Sequence, residues 1–542
     1  MNLLKYTSTV TLLLVNLFAF SQKDTLPPIN QTIKVKATFK PELITFSKQG
    51  ITPSVPQPDT SIVQLQYSVP AQNLFITYLP ISIQPLAMQQ PAYKPWGNSN
   101  YIKVGYGNYQ SPYVQAMVSL GNGTTSNTVL QGNYQSAKGT LQHQQYRTLQ
   151  LQVNNHTKAD KFTLNTAVNY NYNIINMYGY NNALFNLPKQ QVQQQYQTIQ
   201  ASTTLANSNN PNGISYQPNA HVTYFSNRDS ASELSAILNI PFQKKLNDNI
   251  SIALQASADA TILKTITNST NTIVYLQPAL QYAKNGTIAT LGASPTWSNG
   301  TLTILPNVQL HVPLSNSSMA AKLGWQGSYT KGTYHNWVQV NPYIQRPSTL
   351  FNTLNNVVFA GLTTTTSKVT VAIGAAYIRH RNIALYTNDT FTGRSFIVRN
   401  EPLVNNMQIT AEFTFINKET LSWHTTVALN NYFKVQQNNK AYGLLPLQVT
   451  SNLQWQVHNS VTLTASAFVW NGAPYLNKAK QVKQLPFVAD INAGIDFAIT
   501  KPLHVWVQAN NLANTRYQRW NQYETFGFNI LGGVRYNFGA LQ

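Results

Sequence analysis

The sequence contains no cysteine, which excludes disulfide frameworks, thiolate metal ligands and cysteine nucleophiles. Charge is scarce too. Only 9% of residues are Asp, Glu, Lys or Arg, against about 25% in an ordinary soluble domain. Acidic residues are the scarcer kind, 15 against 36 basic ones, for a net charge of +21. Long apolar runs are missing. Past the first 21 residues no stretch reaches the roughly 18 apolar residues a spanning helix needs. Catalytic signatures are missing as well. The nine histidines show no HxH or HExxH spacing, and neither a GxSxG elbow nor a P-loop occurs. No catalytic residue, metal ligand or cofactor is assigned, and no enzymatic role is expected.

What replaces charge is Asn, Gln, Ser, Thr and 30 tyrosines. The basic excess is scattered, with no basic arm or helix, so nucleic acid is not an expected partner. Attraction to anionic lipid head groups or an anion-biased lumen fits better. At the N-terminus Lys5, the apolar "TVTLLLVNLFAF" and then Ser21-Gln22 read as a secretory signal peptide over residues 1–21. Residues 22–98 hold eleven of the 27 prolines. Each removes a backbone donor, so no continuous sheet or helix is expected there. The segment reads as extended, periplasmic or lying in a lumen.

From residue 99 to 542 the pattern has period two. Ile250, Ile252, Leu254, Ala256, Ala258, Ala260 and Ile262 oppose Ser251, Gln255, Ser257, Asp259 and Thr261. Met407, Ile409, Ala411, Phe413 and Phe415 oppose Gln408, Thr410, Glu412 and Thr414. Turn signals such as "KNGT", "SNGT" and "KKLNDN" join the runs as hairpins. The expected fold is all-β, a transmembrane antiparallel barrel of roughly 22 strands within a range of 18–22. A wet face of uncharged amides and hydroxyls, not Lys and Glu, argues against bulk water outside. Aromatic pairs at strand ends suggest lipid-interface girdles: Tyr170/Tyr172, Tyr432/Phe433, Phe468/Trp470, Tyr517/Trp520 and Tyr536/Phe538.

Alternation places Lys103, Asp259, Glu412 and Arg535 on the polar, lumen-facing side. It places Phe528, Ile530, Val534, Tyr536 and Phe538 on the lipid side. "RHR" at Arg379–Arg381 ends the strand "VTVAIGAAYI" as a basic knot. It is either a contact for lipid phosphates or a solvated strand end.

The stretch "WVQANNLANTRYQRWNQYETFGFNILGGVRYNF" resembles the end of TonB-dependent receptor barrels. Asn511, Leu512, Asn514 and Tyr517 match that family's Asn-Leu-x-Asn-x-x-Tyr turn, and Gly527, Gly533, Tyr536 and Phe538 match its closing strand. The resemblance implies an outer-membrane barrel of a Gram-negative envelope. Members carry a plug of well over a hundred residues, whereas 77 residues separate the leader from the first strand here. Residues 22–98 would be an abbreviated plug. The expected function is solute uptake, with outer-membrane lipid and an unidentified solute as partners. The alternative is a structural or assembly anchor, holding a lipoprotein or another periplasmic partner.

Overall fold

A computed structural model describes residues 100–539, apart from 122–124, 208–212, 316–317, 390, 419 and 478. The leader over 1–21 and the proline-rich segment over 22–98 lie outside the described residues.

Alternation becomes a continuous antiparallel meander from Asn100–Gly107 to Asn529–Phe538. Each strand pairs with its sequence neighbour, and the first also pairs with the last, from Asn100↔Phe538 to Gly107↔Leu531. The sheet therefore has no free edge. It contains 23 hydrogen-bonded segments. Two of them, Ile214–Tyr216 and Asn219–Asn227, pair in turn with Ser232–Lys245 and form one strand. The interruption falls at Gln217-Pro218, where proline offers no amide hydrogen to the ladder. The wall is thus a closed barrel of twenty-two strands, the number read from the sequence.

Turn chemistry follows the sequence. Asn285-Gly286 and Asn299-Gly300 both take positive φ at both positions, 50° and 78°, then 49° and 83°. This is the two-residue hairpin whose twist matches the flanking strands. Connections at the end where the first strand begins are short, such as 285–286, 366–368 and 459–460. The opposite end carries the long ones: 177–192, 331–352, 434–446, 472–487 and 511–528.

Outward faces are apolar in whole rows. Leu238 pairs with Ala258 and that with Val274; Ile240 with Ala256 and that with Leu276; Phe242 with Leu254. Leu238, Ile240, Leu254, Val274 and Leu276 are each more than 40% exposed. Covering one such side chain is worth about 1.5–3 kcal/mol. A few strands therefore leave uncovered an amount comparable with the whole stability of an ordinary domain, about 5–15 kcal/mol. Soluble surfaces do not carry contiguous apolar patches of this extent.

The seam needs close approach. Gly105 and Gly533 are Cα partners across it. The buried Trp506 indole covers Gly105 on the inner wall, with Tyr113 edge-on at 5.5 Å.

Candidate functional site

Lys103, Asp259, Glu412 and Arg535 lie on the faces opposite the exposed apolar residues of their strands. They do not form one ring. Lys103 and Arg535 are Cα partners at the seam. The Lys103 ammonium sits 4.2 Å over the Trp506 ring. Arg535 reaches Asp496 at 3.2 Å, and Asp496 also meets His504 at 2.7 Å. Asp259 takes an ion pair of 2.8 Å from Lys331, which descends from the long connection over 331–352. Glu412 faces His424 at 3.7 Å on the next strand. The partners Asp496 and Lys331 were not singled out in the sequence. Strand register brings in Asp496 and the start of a long connection brings in Lys331, and neither can be counted through loops of unknown length.

On the closing strand Ile530, Val534 and Tyr536 are exposed on the outer face. Phe538 ends the strand half-buried. Phe528 precedes it, and its amide donates to Asn514 Oδ1 at 2.8 Å. That bond places Phe528 in the connection rather than the wall. The girdle expectation needs the same correction for two pairs. Phe468 and Trp470 stack at 4.6 Å and pack against Tyr517, which comes from the connection over 511–528. Trp520 is buried with Phe396 and Tyr386 at 5.3 Å from each. These rings hold loops together.

Much of the rest of the inner wall is amide and hydroxyl, interrupted by Lys322 over the Phe359 ring and by buried Val357, Ala376 and Ile378. Gln243 bonds Ser251 and Gln281, Asn406 and Gln408 share Asn430, and Thr426 meets Thr450. Near the short-turn end, a cavity of about 330 Å³ is lined by Asn127, Asn154, Asn155, His156, Ser202 and Thr204 among others. Such a wall offers both donors and acceptors.

At the other end the long connections meet. Tyr343 stacks on Tyr523 with ring centroids 3.5 Å apart and 17° between planes. Tyr178 stands edge-on to Tyr523 at 5.0 Å and to Tyr343 at 6.4 Å. The three rings come from connections that follow the fifth, thirteenth and twenty-first strands of the wall. They converge from points about a third of the circumference apart. Backbone bonds reinforce the junction. Tyr178 Oη donates to Glu524 O at 2.7 Å, Tyr196 Oη to Pro342 O at 2.9 Å, and Tyr523 Oη to Arg394 O. The Phe396 amide donates to Tyr343 O at 2.9 Å, and the Gln345 amide to Phe396 O at 2.7 Å. Arg519 donates to Gly443 O at 3.0 Å, although burial pulls its guanidinium down to about 10.

A short helix, Tyr334–Val340, anchors this junction to the wall. Thr333 caps it, its hydroxyl accepting from the Asn336 amide at 3.0 Å. The buried Glu233 carboxylate accepts from the Tyr334 and His335 amides at 2.6 and 3.2 Å. An anion facing otherwise orphaned amides at a helix start is a favourable arrangement. Tyr334, Trp337 and Val338 bury their side chains against Phe225, Leu263 and Leu350.

His335 makes the closure pH-dependent. Burial holds its imidazole down at about 4. Gln339 lies 3.0 Å from its Nε2 and the Phe225 ring 5.3 Å away, and His221 adds repulsion. The closed junction accepts the neutral ring. An opened loop returns it toward 6.5. Closure is therefore fully stable above that value and weakens as pH falls from 6.5 to about 4, by at most about 3 kcal/mol. Amide exchange over 331–352, corrected for intrinsic rate, is expected to accelerate between pH 7 and pH 5. His335→Gln is expected to flatten that dependence.

No family model matches the sequence, and no curated protein matches it. Solved structures do match the fold. The FrpB iron transporter of Neisseria meningitidis superimposes with a TM-score of 0.64 at 10% identity, covering 81% of this chain and 81% of that one. The siderophore receptor PirA of Acinetobacter baumannii gives 0.62 at 9% identity, over 82% and 81%. The ferric enterobactin receptor PfeA of Pseudomonas aeruginosa gives 0.60 at 11% identity, over 81% and 80%. In fold, the chain is similar to the barrels of outer-membrane siderophore and iron receptors.

Proposed function

We propose that this chain is an outer-membrane receptor that takes up a solute through its barrel, with residues 22–98 serving as an abbreviated plug. The apolar outer rows suit bilayer hydrocarbon, where every backbone group must be paired and only a closed sheet suffices. Short turns then lie in the periplasm and long connections outside. The observation that carries the reading is the pairing of a wide, amide-lined interior with loops joined across its outer mouth. A static anchor needs no gated mouth, whereas uptake needs a large lumen that does not leak. The similar folds are those of receptors and transporters, which supports transport over catalysis. The solute is an uncharged or weakly charged hydrogen-bonding molecule, matched to the wall rather than to a charged ring.

The test is depletion of a defined medium by cells with and without the protein. Uptake predicts at least one solute consumed only by cells that have it. Identical depletion, together with a stoichiometric protein partner in complexes drawn from the outer membrane, would replace uptake by anchoring.

A further inference from the structure

Arg379 and Arg381 sit two residues apart on the strand Val369–Asn388, about 7 Å along one face. That face is the outer one. Both side chains are exposed, as are Ile373 and Tyr377 below them, while the intervening His380 turns inward to Asn355 at 2.7 Å. Neither guanidinium has a hydrogen-bond or ion-pair partner among the described residues. Beneath them lies an aromatic shelf. Tyr377 and Phe433 are 6.4 Å apart, and the Trp325 indole donates to Asn356, the Cα partner of Arg379.

The strand rises from the short-turn end. Its outward residues are apolar from Val369 to Tyr377, then become arginine. Nine residues at barrel tilt cover most of an apolar band about 25 Å tall. Arg379 and Arg381 thus emerge where the outer leaflet's head groups begin. A charge is costly at mid-bilayer and nearly free at the interface.

Guanidinium distribution points the same way. Of ten arginines, Arg535 faces inward, and the other nine lie toward the end that carries the long connections, in the connections of that end or in the strand halves leading to them. Lysines occur at both ends, such as Lys158, Lys244, Lys245 and Lys284 at the short-turn end and Lys138, Lys189, Lys264 and Lys440 at the other, so arginine alone is one-sided. Guanidinium grips phosphate with two parallel N–H donors, which ammonium cannot do.

We propose that Arg379 and Arg381 form a binding site for the phosphates of an outer-leaflet phosphorylated glycolipid of the lipid A type. Tyr377, Phe433 and Trp325 support its sugar and upper acyl chains. The site rests on the membrane reading of the barrel, and its test separates the two. Full-length protein is placed in phosphatidylcholine nanodiscs, which alone checks membrane insertion. Bisphosphorylated lipid A is then titrated, with binding read by native mass spectrometry. The wild type is expected to retain lipid A, and Arg379→Gln/Arg381→Gln to bind at least tenfold more weakly. Arg379→Lys/Arg381→Lys should fall between. Lys244→Gln/Lys245→Gln, at the short-turn end, should match the wild type. Heat-modifiable electrophoretic migration confirms that each variant is folded. The site is overturned if dephosphorylated lipid A binds equally well, or if the double glutamine variant binds like the wild type. It is overturned as a lipid site if millimolar inorganic phosphate displaces the lipid, which would mark a site for free phosphate. Failure to enter nanodiscs would instead remove the membrane reading.

Discussion

Gly533→Val is expected to leave the barrel open. A Cβ at Gly533 would lie 1.9 Å from the Val104 carbonyl oxygen and 2.6 Å from the Gly105 Cα. Both obstacles are backbone, so no rotamer change relieves them. The strand that must give way is the first one, whose eight paired positions with the last close the whole sheet. Destabilisation above about 4 kcal/mol is expected, in the range of rare, severe substitutions. A failed seam also exposes two strand edges of unpaired backbone groups at once. The measurement is heat-modifiable migration and protease resistance after refolding into detergent. The wild type should run compact and resist digestion, and the variant should do neither. Gly532→Ala is the control, because a Cβ there meets only Trp506 O at 3.6 Å and Val507 Cγ2 at 3.8 Å, ordinary contacts. If Gly533→Val folds as well as Gly532→Ala, the seam is not the close contact described.

Most of the wall was legible in the sequence because a barrel repeats one local rule. Period two sets the faces, Asn-Gly sets the turns, and neighbours in sequence are neighbours in space. Asp259 and Arg535 could be placed on a face from alternation alone. Their partners could not. Lys331 reaches Asp259 across 72 positions, and Asp496 reaches Arg535 only because the last three strands align in one register. Aromatic pairs misled where loops return over the barrel. Trp520 and Tyr517 look like girdle residues when their segment is read as strand, but they belong to the connection 511–528. One signal was available for the mouth. The connection 331–352 contains Tyr334, Trp337, Val338, Tyr343, Ile344 and Phe351, too apolar for a solvated loop. An aromatic-rich loop between two strands marks something that packs, even when the sequence does not say against what.

The packing across the mouth yields the second large effect. Tyr343→Ala/Tyr523→Ala is expected to release the three connections from one another. Tyr523 is among the buried residues and its ring lies against Tyr343, Tyr178 and Phe396. Truncating one buried aromatic costs about 3–5 kcal/mol. Because 1.4 kcal/mol is a factor of ten in an equilibrium, one ring shifts open against closed by about 10² to a few times 10³. Two rings in one stack are not additive, so the pair is expected to shift it by about 10³ or more, but by less than the product of the two single effects. Tyr343→Phe/Tyr523→Phe keeps the stack and gives up hydroxyl bonds such as that to Arg394 O, so it should stay mostly closed. The readout is ion current in planar bilayers, with and without residues 22–98. Removing 22–98 alone should give rare openings, since the loops still meet across the mouth. Removing it in the alanine variant should give sustained large conductance. Were deletion of 22–98 by itself to give the full-sized pore, the loop junction would not be the outer seal. Closure would then rest on the N-terminal segment alone, as expected of a plug that works without help from the loops.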